Sequence, residues 1–254
     1  MWVNNRGKQK DHANSAKIHA MGDHTDSVAG RLAEIRDRIE QACGRAGRRA
    51  EEVTLVAISK TFPVESIREA YAAGVREFGE SRVQEWETKV QQVADLPATW
   101  HLVGHLQRNK AARAVMLFAR IDSLDSLPLA EKLDRAAAGV VRLPVLIEVR
   151  LDSDAPKTGC DPGELPRLAE GVLLMPNLEL RGLMTVPPMA ANPEETRPVF
   201  RRLRELRDEL STTLGRPLAE LSMGMSHDFE VAIEEGATQI RLGTVLFGSR
   251  PASP

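Results

Sequence analysis

Residues 53–59 read VTLVAIS, and Lys60 follows directly. A continuous apolar, partly β-branched run of this length matches a strand buried on both faces, as in a parallel sheet. Pro63 then opens VESIREAYAAG, whose apolar positions recur at helical spacing and stop at Gly74. That strand and helix form a unit, and the unit repeats downstream. VREFGE precedes a helix from about Arg82 to Val93, HLVGHL precedes Arg108 to Phe118, and ARIDSLDS precedes Leu127 to Ala138. VLIEVRL leads into Pro162 to Leu174, and LELRGLMTV into a long helix from Glu194 to Leu214. ELSMGM with Asp228 to Glu235, and QIRLG with VLFGS, complete the series. Upstream, Val28, Leu32, Ile35, Ile39 and Cys43 predict one amphipathic leading helix ending near Gly44 and Gly47.

About eight βα units in 254 residues is the arithmetic of an α/β fold, a single (β/α)8 TIM barrel with an extra N-terminal helix. A doubly wound open sheet is the alternative, but SKTFP after the first strand contains no GxGxxG phosphate turn. Residues 26–254 are expected to form the barrel. Residues 1–25 are expected to be a disordered extension, with Met21 as an alternative start.

Charge and composition narrow the function. Lys and Arg total 34 against 36 Asp and Glu, a net charge of −2, which argues against a broad nucleic-acid footprint. No stretch approaches the roughly 18 apolar residues of a membrane helix. Cys43 and Cys160 form neither a CxxC pair nor a disulfide framework, so a reducing, cytoplasmic setting is expected. The six histidines show no HExxH or cluster, which disfavours metal catalysis.

Barrel active sites lie at the C-terminal ends of the strands. The residues there are Lys60, then Glu80 and Ser81, His105 and Gln107, Asp122 to Ser126, Asp152 to Lys157, Thr185, Ser222 to Ser226, and Gly243 with Thr244. A lysine at a barrel mouth suffers desolvation, which favours its neutral, nucleophilic form and a Schiff base with an aldehyde or ketone. The alternative is a lysine that reaches solvent. SMGMS at 222–226 and GT at 243–244 fall after the last two strands, where barrels most often bind phosphate. Taken instead as tight turns, they carry no chemistry. A lysine after the first strand and a phosphate cup at the seventh and eighth describe pyridoxal phosphate (PLP). Arg241, two residues before Gly243, faces either the barrel axis or an outer helix. On the axis it would donate to the ring nitrogen and weaken the ring as an electron sink.

These residues sit in motifs that resemble the pyridoxal phosphate homeostasis protein family, single-domain relatives of the alanine racemase barrel. The motifs are VAISKTFP around Lys60, FGESRVQE at 78–85, HLVGHLQRNK at 101–110, GLMTVPP at 182–188, LSMGMSHDFEVAI at 221–233 and IRLGTVLFGSR at 240–250. The resemblance spans Val28 to Arg250. It implies a PLP Schiff base on Lys60, a phosphate held by Ser222, Gly224, Ser226, Gly243 and Thr244, and Arg241 at the ring nitrogen. Ser81 stands where the family usually has asparagine, and Arg150 also departs from the family pattern.

The resemblance implies intracellular PLP homeostasis: a protein that buffers or delivers the cofactor without turnover. Its expected partners are PLP and PLP-dependent apo-enzymes, with no nucleic acid and no membrane, in a monomer or weak homodimer. The alternative is a PLP-dependent amino-acid racemase-like enzyme. Two-base racemisation needs a second proton donor, and the one tyrosine, Tyr71, falls on the first barrel helix. His105, Asp125 and His227 are the other candidates for that role. A third reading is an aldolase-like barrel in which Lys60 attacks a sugar-phosphate carbonyl.

Overall fold

The computed structural model describes residues 27–139, 142–151 and 158–249. The predicted N-terminal extension and the 152–157 segment lie outside the described residues. Eight strands form a closed barrel in sequence order. They are β1 Thr54–Ile58, β2 Glu77–Glu80, β3 Thr99–Leu102, β4 Arg120–Leu124, β5 Leu143–Glu148, β6 Leu178–Met184, β7 Glu220–Ser222 and β8 Gln239–Leu242. Every neighbouring pair is parallel, and β8 returns to β1 with Val56 opposite Arg241. The closed barrel agrees with the sequence expectation.

The helices are α1 Val28–Arg45, α2 Val64–Ala72, α3 Val83–Lys89, α4 Ala111–Leu117, α5 Leu127–Ala136, α6 Leu165–Leu173, α7 Arg197–Thr213, α8 Phe229–Glu234 and α9 Thr244–Phe247. Their ends are tighter than the apolar periodicity predicts. The predicted Arg82–Val93 helix finishes as a 3-10 turn over Val90–Val93, and the Glu194–Leu214 helix begins as one over Pro193–Thr196. In the second case Asn192 accepts a hydrogen bond from the Glu194 N–H, 3.1 Å away, and so fixes the entry turn.

The extra N-terminal helix has a definite place in the ring. The helix following β8, α9, is a single turn, too short to cover the strands behind it. Helix α1 packs against α8, α9 and α2, and so fills the eighth outer position. Its buried face is Val28, Leu32, Ile35, Ile39, Ala42 and Cys43, and Ser27 caps its first turn by accepting the Gly30 N–H. Arg31 donates to the carbonyls of Leu246 and Phe247 at the end of α9. Arg38 pairs with Glu230 and lies 4.5 Å over the Phe229 ring, and Arg48 donates to the Ile233 and Ala237 carbonyls. Among the described residues no helix is long and apolar enough to cross a membrane.

Candidate functional site

A cavity of about 600 Å³ opens at the C-terminal ends of the strands. Lys60, Ser81, Ser226, Arg241, Gly243 and Thr244 all line it, so residues far apart in sequence meet on one surface.

Lys60 is half-buried, two residues beyond β1. The next residue, Thr61, has φ of +67°, a left-handed conformation that a β-branched residue adopts only when its surroundings enforce it. The enforcing group is Glu85, whose carboxylate accepts the Thr61 N–H at 2.6 Å. Lys89 Nζ holds that carboxylate at 2.7 Å, and also donates to the Ser59 carbonyl at 3.2 Å and Glu80 Oε1 at 3.4 Å. Ser59 Oγ donates to Glu80 Oε1 at 2.8 Å. Burial pushes the Glu80 carboxyl up, with Lys89 and Ser59 opposing, while its Oε2 has no hydrogen-bond partner. Burial also works to raise Glu85, but Lys89 and the Thr61 N–H hold it below the usual carboxylate range. A polar cluster from β2 and α3 thus shapes the turn that carries Lys60. Sequence reasoning placed Glu80 at a strand end but missed Glu85 and Lys89. Their i, i+4 spacing on a helix was the available signal.

Arg241 is 4% exposed and turned to the barrel axis, which excludes the outward-facing alternative. Its guanidinium donates from Nη1 to Ser222 Oγ at 2.6 Å and from Nη2 to the Thr185 carbonyl at 2.8 Å. Burial presses its basicity down, and Asp122, Glu148 and Asp228 oppose that shift.

Across the cavity, Ser226 Oγ accepts the N–H groups of Gly243 and Val245 at 3.3 and 3.4 Å. Asp228 Oδ1 accepts the Met225 N–H at 2.7 Å and so fixes the preceding loop. Ser226, Gly243 and Thr244 therefore cluster as the sequence anticipated. Two members of the predicted cup lie elsewhere. Ser222 is fully buried below the cavity, where it accepts from Arg241 and from Gln239. Gly224, at φ of +90°, is a packing position: a Cβ there would lie 2.6 Å from the Ala232 Cβ and 3.0 Å from the Phe229 Cα. Ser81 lines the wall, and Gly104 allows the next loop to approach it: a Cβ at Gly104 would sit 2.3 Å from the Ser81 carbonyl. Arg150 pairs with Asp161 at 2.6 Å.

Of the proton-transfer candidates, His227 lines the Lys60 cavity. His105 faces Asp125 at 3.2 Å in a neighbouring surface cleft. Tyr71, on α2, has the Arg76 guanidinium 4.0 Å over its ring and is not among the residues that line the cavity.

The family model for the alanine racemase N-terminal domain matches residues 31–251, so the fold and its strand-end cavity define an alanine racemase-type barrel. The pyridoxal phosphate homeostasis protein of Aquifex aeolicus is 48% identical over 221 residues, covering 87% of this chain and 97% of that protein. Its Pseudomonas aeruginosa counterpart is 45% identical, covering 88% and 96%. PipY of Synechococcus elongatus PCC7942, solved with PLP bound, superposes with a TM-score of 0.77 at 42% identity, covering 87% of this chain and all of PipY. The chain belongs to the pyridoxal phosphate homeostasis protein family.

Proposed function

We propose that this protein binds PLP in the Lys60 cavity and takes part in PLP homeostasis, holding the cofactor and releasing it to PLP-dependent apo-enzymes in the cytoplasm. The observation that carries this reading is that one cavity is lined at once by Lys60, by the Arg241 guanidinium and by the Ser226, Gly243 and Thr244 cluster. That donor set fits the cofactor. A primary amine suits its aldehyde, a guanidinium suits its ring nitrogen, and hydroxyls beside backbone N–H groups suit its phosphate. When bound, PLP supplies an aldehyde that reacts reversibly with amines and a ring that withdraws electrons.

The chain's own residues favour holding over turnover. Arg241 has only donors, so it leaves a ring nitrogen unprotonated and the ring a weaker electron sink. The Thr61 turn, enforced by Glu85, aims the backbone that presents Lys60. Tyr71, the residue type that would serve as a second base, lies outside the cavity. Ser222, buried under the cavity, holds Arg241 rather than a phosphate oxygen.

Borohydride reduction of the PLP-loaded protein, followed by peptide mapping, tests the assignment. The expected result is a single modified peptide containing Lys60, with Lys60→Ala unlabelled and melting as the parent does. A label spread over surface lysines would overturn it. Prolonged incubation with single L-amino acids addresses turnover, and loss of optical purity at enzymatic rates would replace the carrier reading with racemisation.

A further inference from the structure

The interiors of (β/α)8 barrels are ordinarily filled by layers of branched apolar side chains. Here a chain of polar side chains threads the lumen beneath the cofactor cavity. Gln239 and Arg241 are two residues apart on β8 and share its inward face. Ser222, paired with Gln239 across β7 and β8, lies between them. Gln239 Nε2 donates to Ser222 Oγ at 2.9 Å and to Asp122 Oδ2 at 2.8 Å, so both protons of its amide are committed. Asp122 Oδ2 also takes a hydrogen bond from His101 Nδ1 at 2.7 Å. The other ring nitrogen of His101 is 2.8 Å from Glu77 Oε2, at a cavity of about 580 Å³ on the opposite, N-terminal end of the barrel. Arg120 faces both Asp122 and Glu220 from that end. Asp122, Ser222, His101 and Gln239 are each no more than 3% exposed.

We infer that Gln239 and Ser222 are positioning residues for Arg241, and that Asp122 anchors them, so that the guanidinium is held in one orientation at the floor of the Lys60 cavity. The inference rests on the proposed PLP site, since Arg241 is there the group facing the ring. Its basis is direction as well as distance. Burial works to raise the Asp122 carboxyl, but His101 and Arg120 hold it down at about 2, so it only accepts, which fixes the Gln239 amide with its nitrogen toward Asp122 and Ser222. Ser222 Oγ, accepting from Gln239 on one side, offers its other lone pair to Arg241 Nη1. With Nη2 tied to the Thr185 carbonyl, rotation of the guanidinium is blocked at both ends. A freely rotating arginine would still supply charge, but not a donor at a fixed place.

The test compares the parent chain with Gln239→Leu, which keeps bulk and removes both donors, and with Ser222→Ala, which deletes one oxygen. PLP affinity is measured by equilibrium dialysis, and the visible absorbance of the bound cofactor and the melt of each variant are recorded alongside. The expected result is folded variants that bind PLP about tenfold more weakly, with a displaced absorbance maximum. Folded variants with affinity within twofold of the parent and the same spectrum would overturn the inference. If Gln239→Leu fails to fold, Ser222→Ala alone carries the comparison. Nitrogen-15 NMR of the arginine side chains separates this inference from the functional reading. Slow Nη rotation of Arg241 in the parent and fast rotation in Ser222→Ala supports the positioning chain even where the parent takes up no PLP. Equal rotation rates refute the chain whatever the protein binds.

Discussion

Replacing Lys89 by methionine tests the buried cluster under the Lys60 turn. The ammonium faces Glu85 at 2.7 Å and Glu80 at 3.4 Å, and the side chains of Lys89, Glu85 and Glu80 are 12%, 24% and 0% exposed. Removing one partner of a buried ion pair costs about 3–5 kcal/mol. Two features reduce that figure here. Glu85 is partly hydrated, and Glu80, already pushed up by burial, escapes its loss by binding a proton. The expected loss is therefore about 2–3 kcal/mol at pH 8. Its pH dependence follows from the sign of the shift. A carboxyl raised in the folded state weakens the fold above its folded value, and that penalty vanishes below its ordinary value of 4.5. Without Lys89 the Glu80 carboxyl rises further, so the deficit grows with pH. Glu85 adds in the same direction, because the stabilisation it gains from Lys89 exists only when it is ionised. Urea unfolding at pH 5 and pH 8 should give a smaller deficit at pH 5 than at pH 8. Equal deficits at both pH values, or no loss at pH 8, would refute the argument.

Two further outcomes are expected. Burial works against protonation of His101, yet Asp122 and Glu77 raise it from 6.5 to about 9. Its contribution is thus full below pH 6.5 and lost as pH rises through about 9, so parent stability should fall by on the order of 3 kcal/mol across that window. His101→Gln should flatten the curve; parallel declines in urea midpoint for parent and variant would contradict this. Ser226→Ala should weaken PLP binding about tenfold while leaving pyridoxal, which lacks the phosphate, within twofold. Equal losses for both ligands in fluorescence titrations would remove Ser226 from the phosphate cluster.

The strands were legible because the apolar runs of β1, β5 and β6 set a rhythm of strand and helix into which the more polar β2, β4, β7 and β8 fit, and the barrel followed from counting the units. Lys60 and Arg241 were legible for a related reason: strand ends mark the mouth, and alternation gives Arg241 a choice of only two faces. Depth along the barrel axis was not legible. Ser222 and Ser226 are both hydroxyls in one short motif, yet the first ends β7 and points into the lumen while the second rises to the cavity. Gly224 between them reads as part of the cup, because a glycine demanded by packing against α8 has the same sequence signature as one demanded by a ligand. The His101, Asp122 and Gln239 chain needed the register of β3 on β4 and the approach of β8 across the lumen, 117 residues away in sequence, which no local pattern encodes. The Glu85 and Lys89 cluster needed the distance from α3 to the Lys60 turn.

Helix α1 completes the outer ring beside α8 and α9. During synthesis α1 emerges before every strand of the barrel, whereas α8 and α9, the helices it contacts most, follow β7 and β8. The part of its apolar stripe that faces α8 and α9 must therefore wait while seven strands are added, and the ring can shut only when the two extremes of the described chain meet. Closure of this kind is a contact of maximal sequence separation, so barrel completion is expected to be a late and slow event. The wait also defines an interval in which a chaperone that recognises exposed amphipathic helices would find its target in the helix that precedes β1.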